Sequence, residues 1–185
     1  MKRLLVAGLI AAMPMALMAE GGTTGNVNLL IGQKTLDKDD WERFDKQAEI
    51  GVMFDIGGKD WPVNFALDML VSGDEETISG VDVDASTAEM DIGIRKSFLD
   101  GNLHPYVGGG LALIQANIEG TQSGVTVSDD DTGVGVWVSG GLYYSIIEHI
   151  NVGLDLRYSH AKTTLFGVDK QAGGTHVALF AGYHW

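Results

Sequence analysis

Hydrophobic residues alternate with polar or small ones through most of the chain. From Ile150 to Ser159, for example, the even positions are isoleucine, valine, leucine and tyrosine, and the odd positions are asparagine, glycine, aspartate, arginine and serine. Alternation with a period of two places the two sets of side chains on opposite faces of a β-strand. Eight segments follow this pattern, beginning near residues 27, 47, 63, 88, 106, 134, 150 and 176. The pattern predicts an all-β protein with eight strands.

One of these segments has an ambiguous orientation. From Tyr106 to Ile118, both faces carry apolar residues or glycine. The polar residues Gln115 and Asn117 lie at odd positions. We therefore expect the odd positions to share the face that carries the polar residues of the other strands.

The connections between the segments alternate strictly between short and long. An antiparallel up-and-down barrel that crosses a membrane has this organisation, with short turns at one end and longer loops at the other. The short connections are 57–62, 99–102 and 147–149, and the long, acidic ones are 37–42, 73–84, 119–132 and 163–174.

Two of the long connections contain signals for a hairpin turn. Ser79-Gly80 and Ser123-Gly124 are small residue pairs of the kind that turn a β-hairpin. We expect the strands around them to continue beyond the membrane as an exposed sheet. An edge of that sheet can pair with a strand of a partner protein.

The distribution of charge between the two faces indicates which solvent surrounds the barrel. The apolar faces carry almost no charge over the ~10 residues that a tilted strand needs to cross a bilayer. In a water-soluble barrel, hydrophobic residues would instead fill the interior. We therefore expect an eight-stranded antiparallel up-and-down transmembrane β-barrel with its polar faces inside. The charged residues expected in its interior are Glu49, Asp55, Asp68, Glu89, Asp91, Arg95, Asp155 and Arg157.

Acids outnumber bases in this predicted interior. Six acids face two arginines, and Lys34 is a third candidate cation. Because unpaired buried charge is costly, we expect an ion-pair network in which some acids are hydrated, protonated or bound to a cation. Alternatively, the same residues line a narrow water-filled path that prefers cations.

Aromatic residues are expected near both ends of the strands. Two girdles of such residues at headgroup depth are typical of a barrel that spans a bilayer. Those near the ends with short turns are Phe54, Trp61, Phe98, Tyr106, Tyr144, Tyr183 and Trp185, and those near the outer ends, with the long loops, are Trp41, Phe44, Tyr158 and Phe166.

The N-terminal segment, the cysteine content and the net charge indicate where the protein is located and which kinds of chemistry are excluded. Residues 1–19 combine Lys2 and Arg3 with an apolar stretch and the small residue Ala19, as in a secretory signal peptide. We assign residues 20–185 to the barrel domain. The chain contains no cysteine, which excludes disulfides and thiol catalysis. Its net charge of −13 argues against a nucleic-acid partner, and we expect no cofactor.

The last strand carries a resemblance to a known family. Leu179, Ala181, Tyr183 and Trp185 lie at alternate positions, and the pattern resembles the C-terminal signal by which outer-membrane barrels are recognised for assembly. With the leader and the eight segments, the mature chain is similar to the small barrels of the OmpA/OmpX-like and opacity-protein group. The resemblance implies a location in the bacterial outer membrane. It also implies that outer-membrane lipid, lipopolysaccharide and the barrel-assembly machinery are partners.

The expected function is a structural or surface-interaction role, similar to adhesion and without catalysis, in which the extracellular loops contact a surface or host protein. A narrow pore for cations or small solutes is the alternative. Oxygen-rich loop positions are weak candidates for binding calcium or magnesium. Because the glycine and distal glutamate of a calcium loop are missing, we expect solvated charge there and no metal site. These positions are Asp82, Asp84, Asp129, Asp130 and Asp131.

A lipid A-modifying hydrolase is the third alternative. Residues 157–162 are similar to a segment of outer-membrane lipid A deacylases in which a histidine is followed two residues later by a serine and further on by a glutamate. His160 matches the histidine, but Lys162 occupies the serine position and no glutamate follows Glu148. Asp169 is the nearest acid. Ser159 cannot serve His160, because neighbours on a strand point to opposite faces.

Overall fold

The computed structural model describes residues 22–98 and 101–185. The predicted signal peptide, residues 1–19, and part of the predicted turn at 99–102 lie outside the described residues. No helix within these ranges is long and apolar enough to cross a membrane. The elements are β1 (Thr23–Leu36), α1 (Lys38–Trp41), a 3-10 helix (Glu42–Phe44), β2 (Lys46–Gly58), β3 (Asn64–Ile78), β4 (Val81–Ser97), β5 (Leu103–Gln122), β6 (Val125–Ile147), β7 (Ile150–His160), β8 (Lys162–Leu165), β9 (Val168–Gln171) and β10 (Gly174–His184).

Eight strands close into a barrel in the order β1-β10-β7-β6-β5-β4-β3-β2, while β8 and β9 form a two-stranded sheet of their own. Antiparallel pairing of β1 with β10, from Asn26–His184 to Leu36–Gly174, closes the cylinder. Closure lets each backbone amide of the wall bond to a neighbouring strand, which a membrane requires. The predicted eight-stranded up-and-down barrel is confirmed.

Apolar side chains cover the outside of the barrel and charged ones lie within it. Leu29, Ile31 and Leu179 expose 67%, 68% and 64% of their surface, whereas Asp68 and Asp91 expose none. A water-soluble barrel of this size has the opposite arrangement. The charged strands therefore have their ionisable side chains on the inner face of the barrel.

The orientation predicted for the segment Tyr106–Ile118 is wrong. The even positions of β5 face the interior, where Ala112 and Ile114 are buried, and Gln115 is exposed on the outer face. Glycine occupies positions 108 and 110 of this inner face, where Trp137 of β6 lies directly opposite Gly110. A Cβ atom at Gly108 would lie 3.1 Å from the Trp137 ring.

Three aromatic residues lie outside their predicted girdles. Tyr106 is buried inside the barrel because the even face of β5 points inward, and Trp41 is buried at the outer mouth. Phe44 packs against the same apolar cluster as Trp41, because the loop between β1 and β2 folds back over the mouth. Other girdle residues lie on the surface as expected, including Trp61 and Tyr158, which are 65% and 50% exposed.

The barrel wall is taller on one side than on the other. β5 and β6 contain 20 and 23 residues, whereas β7 and β10 contain 11 each. Pairing of β2 with β3 reaches Ala48–Gly73, and pairing of β7 with β6 reaches His160–Val136. Strands β3 to β6 continue past these points. We call residues 74–85 and 118–129 the outer sheet.

Both hairpin turns predicted for this sheet are confirmed. Ser79 and Gly80 have φ angles of 52° and 82°, and Ser123 and Gly124 have 49° and 84°. Positive φ at both central residues identifies type I′ turns, whose twist matches that of the flanking strands. The sequence therefore determines where the outer sheet ends.

Two loops close the outer mouth of the barrel. One contains α1, and the other contains the β8–β9 hairpin, which the sequence analysis did not predict. Trp41 donates a hydrogen bond through Nε1 to the carbonyl of Gln171 at 2.7 Å, which joins the two loops. Leu36, Trp41, Leu165 and Ala172 are buried in one apolar cluster. We call residues 37–45 and 161–173 the outer plug.

Candidate functional site

Charged side chains from four strands meet inside the barrel, below the outer plug. The structure places the eight predicted interior charges on the inner faces of β2, β3, β4 and β7, each at most 3% exposed. Alternation along each strand aims them inward. They form a central cluster around Arg95 and Arg157 and an outer cluster around Glu49 and Glu89.

Arg157 is the centre of the first cluster. Its Nη2 donates to Asp68 Oδ2 at 2.6 Å, its Nε donates to Asp155 Oδ2 at 3.4 Å, and its Nη1 donates to Asp91. The guanidinium also lies over the Trp137 ring, 5.0 Å from its centroid. One arginine therefore binds carboxylates from β3, β4 and β7.

Arg95 extends the central cluster towards the periplasm. Its Nη2 donates to Asp68 Oδ2 at 2.6 Å, and its Nη1 donates to Asp55 Oδ2 at 3.5 Å. Asn64 donates a second hydrogen bond to Asp55, at 2.6 Å. Asp68 is therefore shared by both arginines, and it links the two ends of the cluster.

Besides Lys34, the outer cluster contains His176 and Ser159, which were not predicted as site residues. Lys34 Nζ lies 2.9 Å from Glu89 Oε2. His176 Nδ1 lies 2.6 Å from Glu49 Oε2, and its Nε2 lies 3.2 Å from Ser159 Oγ. The alternating pattern places His176 and Ser159 on the polar faces of their strands. They were not predicted because the interior set was chosen by formal charge, which a neutral histidine and a serine lack.

Hydrogen bonds join Ser159 to His176 and His176 to Glu49. A nucleophile, a base and an orienting acid are connected in the same order. Ser159 is nevertheless fully buried, and its hydroxyl also donates to Glu89 at 3.1 Å. A nucleophile needs space beside it for the reacting atom. His160, the residue matched to the deacylases, is exposed on the opposite face of β7. The arrangement therefore fits a buried network better than a catalytic centre.

Carboxylates exceed permanent cations in this interior. Six carboxylates face Lys34, Arg95 and Arg157. Glu89 Oε1 and Asp91 Oδ1 are buried with no hydrogen-bond partner in the described part of the chain. That some of the acids are protonated, hydrated or bound to a cation stays a prediction.

Two of the five loop aspartates considered as metal ligands fasten the outer plug. Asp129 Oδ2 accepts a hydrogen bond from the backbone amide of Phe166 at 2.5 Å, and Asp131 Oδ2 accepts one from that of Thr164 at 2.6 Å. These bonds join the β8–β9 hairpin to β6. The two carboxylates therefore have a structural role.

The other three aspartates lie on the outer sheet or at its base. Asp82 and Asp130 accept side-chain hydrogen bonds from a threonine and a glutamine. Asp84 lies directly opposite Glu75 on β3 and Glu119 on β5. Within residues 22–98 and 101–185, no group of three or more histidine, aspartate or glutamate side chains could hold a metal ion.

Three of the four residues of the predicted assembly signal lie on the outer face of β10, and Trp185 follows the end of that strand. Leu179 and Tyr183 are 64% and 38% exposed, and Ala181 lies between them. The Trp185 ring lies 6.3 Å from Phe54 and 6.5 Å from Tyr183, centroid to centroid. Recognition of this strand by the assembly machinery stays a prediction.

Several solved structures have a similar fold. Neisserial surface protein A (NspA) matches with a TM-score of 0.58 and 12% identity, over 89% of this chain and 98% of that chain. Ail, the attachment invasion locus protein of Yersinia pestis, matches with 0.61 and 14%, over 90% and 100%. A major outer membrane protein from Thermus thermophilus matches with 0.61 and 9%, over 88% and 99%. At these identities the likeness shows the fold alone.

Sequence comparison identifies the family. No curated protein sequence matches this chain. The family model described as "Outer membrane protein beta-barrel domain" matches residues 4–184, nearly the whole chain. This protein therefore belongs to the outer membrane protein beta-barrel domain family and is an integral protein of the bacterial outer membrane.

Proposed function

We propose that this barrel is a surface-interaction protein whose outer sheet binds an extended, positively charged segment of a partner protein. The observation that carries the proposal is the free edge of β6. β7 pairs with β6 as far as Val136, and the turn of the β8–β9 hairpin is bonded to β6 as far as Asp129. Within the described ranges, no strand lies beside residues Val125–Ser128 on that side. Such an edge offers backbone donors and acceptors to another strand.

Hairpin geometry identifies the backbone groups at this edge. The two-residue turn makes Gln122 and Val125 a hydrogen-bonded pair, and such pairs alternate with non-hydrogen-bonded ones. Thr126 then forms a non-hydrogen-bonded pair with Thr121, in agreement with the 2.9 Å between their hydroxyl oxygens. The N–H and C=O groups of Thr126 therefore point away from β5, towards the free edge.

The surroundings of the edge specify the chemistry of the partner. Val125 and Val127 are 68% and 59% exposed, and three aspartates follow them in the sequence. A partner strand with branched apolar residues and with lysine or arginine matches both features. Ail has been crystallised with the heparin analogue sucrose octasulfate. A polyanion of that kind would be repelled by the acidic outer sheet, so we propose a cationic partner here.

We further propose that the barrel neither catalyses a reaction nor conducts ions. The interior contains Trp137 and Tyr106, which are 1% and 3% exposed, and the outer plug lies above it. Eight strands enclose a space that side chains fill. We keep as proposals that residues 1–19 are a signal peptide, that the assembly machinery recognises β10, and that lipopolysaccharide surrounds the apolar wall.

A peptide-binding experiment tests the role of the β6 edge. The full mature protein is placed in lipid nanodiscs, and fluorescence anisotropy follows a labelled peptide that alternates valine and lysine. We expect Thr126→Pro to weaken binding at least ~10-fold, because it removes an edge donor and the hydrogen bond that this donor forms. A peptide that alternates valine and glutamate should not bind.

Thr77→Pro is the matched control for this experiment. Thr77 occupies the corresponding position in the other hairpin, opposite Asp82, and faces the other edge of the outer sheet. We expect this variant to bind the valine–lysine peptide as the native protein does. Equal losses in both variants, or a loss in Thr77→Pro alone, would contradict the assignment of the partner to β6.

A further inference from the structure

A cavity of about 330 Å³ lies at the opposite end of the barrel, at the periplasmic mouth. It is lined by the turn between β2 and β3 and by residues at the periplasmic ends of β1, β4, β5, β6 and β10. Its described lining residues include Lys59, Arg95 and Lys96 and no aspartate or glutamate. Because Arg95 is already paired with Asp55 and Asp68, the two lysines supply the excess positive charge of this mouth, in a chain with a net charge of −13. Its volume is at the lower end of the roughly 300–1,000 Å³ that small-molecule sites occupy.

Four polar atoms of the lining are buried with no hydrogen-bond partner in the described part of the chain. They are Arg95 Nε, His104 Nδ1, His184 Nδ1 and Trp185 Nε1. The arginine and indole nitrogens are donors only. Arg95 and His104 are 3% and 9% exposed, and both line the cavity. Because an unsatisfied buried donor is costly, a hydrogen-bond acceptor beside Arg95 Nε and Trp185 Nε1 would be stabilising.

Aromatic rings form much of the remaining wall. The His104 ring stacks on Tyr143 with centroids 4.6 Å apart and an interplanar angle of 18°. The centroid of the His184 ring lies 6.4 Å from that of Tyr143, and Trp61, another lining residue, is 65% exposed. Flat rings of this kind pack against a flat or apolar ligand.

We propose that the periplasmic mouth binds a small organic anion, a carboxylate or a phosphate ester joined to a flat or apolar body. Lys59 and Lys96 attract the anion, and Arg95 Nε donates to its oxygens, since charge-assisted hydrogen bonds are the strong ones. The rings around His104 and Tyr143 contact the body of the ligand. Soluble periplasmic solutes and the phosphate headgroups of the inner leaflet both offer this chemistry. The proposal is independent of the outer sheet, which lies at the other end of the barrel.

Titration with phenyl phosphate tests the site. The full mature protein is placed in phosphatidylcholine nanodiscs, and NMR follows the indole N–H of Trp185 and the ring signals of His104 and His184. We expect saturable shifts at these groups. Benzyl alcohol, which has the ring without the charge, should bind at least ~10-fold more weakly, because it lacks the charged acceptor.

Two lysine variants make the test specific. Lys96→Gln should weaken phenyl phosphate binding by up to about fivefold, as expected for an exposed ionic contact. Lys46→Gln removes an exposed lysine from the outer end of β2, and we expect it to leave binding unchanged. Absence of saturable shifts, equal affinity for benzyl alcohol, or equal effects of the two variants would overturn the proposal.

Nanodiscs of another lipid distinguish the two sources of the anion. If an inner-leaflet headgroup occupies the site, phosphatidylglycerol nanodiscs should shift the same signals without phenyl phosphate and should weaken its binding. If the ligand is a soluble solute, the signals should stay as in phosphatidylcholine and the affinity for phenyl phosphate should be unchanged. Either result supports an anion site and identifies its source.

Discussion

Strands β3 and β4 carry two pairs of facing carboxylates in opposite surroundings. Inside the barrel, Asp68 lies directly opposite Asp91, and both are fully buried. On the outer sheet, Glu75 lies directly opposite Asp84 in the same two strands, and Glu75 is exposed. Like charges in such positions destabilise a sheet in both cases. The surroundings decide by how much.

Inside the barrel, the low dielectric strengthens both the repulsion between the carboxylates and their attraction to a cation. Arg157 binds Asp68 and Asp91 at once, so the buried pair depends on this side chain. On the outer sheet, water and salt weaken the repulsion. The same pair of facing carboxylates therefore depends on a cationic partner when it is buried and is tolerated without one when it is solvated.

The largest expected effect comes from removing the buried cation. We expect Arg157→Ala to lower the free energy of unfolding by about 3–5 kcal/mol, because three carboxylates lose their shared partner inside the barrel. Urea titration in phospholipid vesicles, followed by tryptophan fluorescence, measures this change. The loss should be nearly independent of salt, since buried charges are poorly screened.

Arg43→Ala is the control for this prediction. Arg43 forms an ion pair with Glu76 at 2.7 Å, but the two side chains are 64% and 39% exposed. A solvated pair of this kind contributes less than about 1 kcal/mol. Similar losses in the two arginine variants would contradict the distinction between the interior and the outer sheet.

Two isosteric variants rank the buried carboxylates. Asp68 accepts hydrogen bonds at 2.6 Å from both Arg95 and Arg157, whereas Asp91 has one oxygen without a partner in the described structure. Asp68→Asn should lower the free energy of unfolding by roughly 1.5–3 kcal/mol, the range for hydrogen bonds to charged groups. Asp91→Asn should change it by less than about 1 kcal/mol, because loss of one surplus negative charge offsets the weaker hydrogen bond to Arg157. The same urea titration compares them, and a greater loss in Asp91→Asn would reverse the ranking.

The sequence predicted the fold well where charges mark one face of a strand. Asp55 in β2 and Arg157 in β7 fix the inward face, because a charge on the other face would meet lipid. β5 carries no charge in its membrane-crossing part, so its orientation depended on Gln115, which lies on the outer face. β5 has glycine at inward positions 108 and 110, next to Trp137 of β6. Because this contact joins two strands, the pattern of β5 alone does not reveal it.

The site was less predictable because most of its contacts join residues that are distant in the sequence. His176 and Glu49 meet across 127 positions, and alternation shows only that both face inward. In the sequence, Asp129 and Asp131 resemble a solvated acidic loop, but in the fold the β8–β9 hairpin donates two backbone amides to them. The lining of the periplasmic cavity likewise combines the ends of several strands, which no local pattern reveals.

The smallest change in the free energy of unfolding is expected for the solvated pair of carboxylates, Glu75 and Asp84 on the outer sheet. Asp84→Asn removes one charge from the row that Asp84 forms with Glu75 and Glu119, with almost no change in shape. We expect the free energy of unfolding to rise by about 0.2–1 kcal/mol at low salt, because facing like charges are relieved. At 1 M salt the screening length falls to about 3 Å, and the gain should disappear. A gain that persists at 1 M salt would show that strand preference or packing causes it, and the outer row would then differ from the buried pair in more than its solvent.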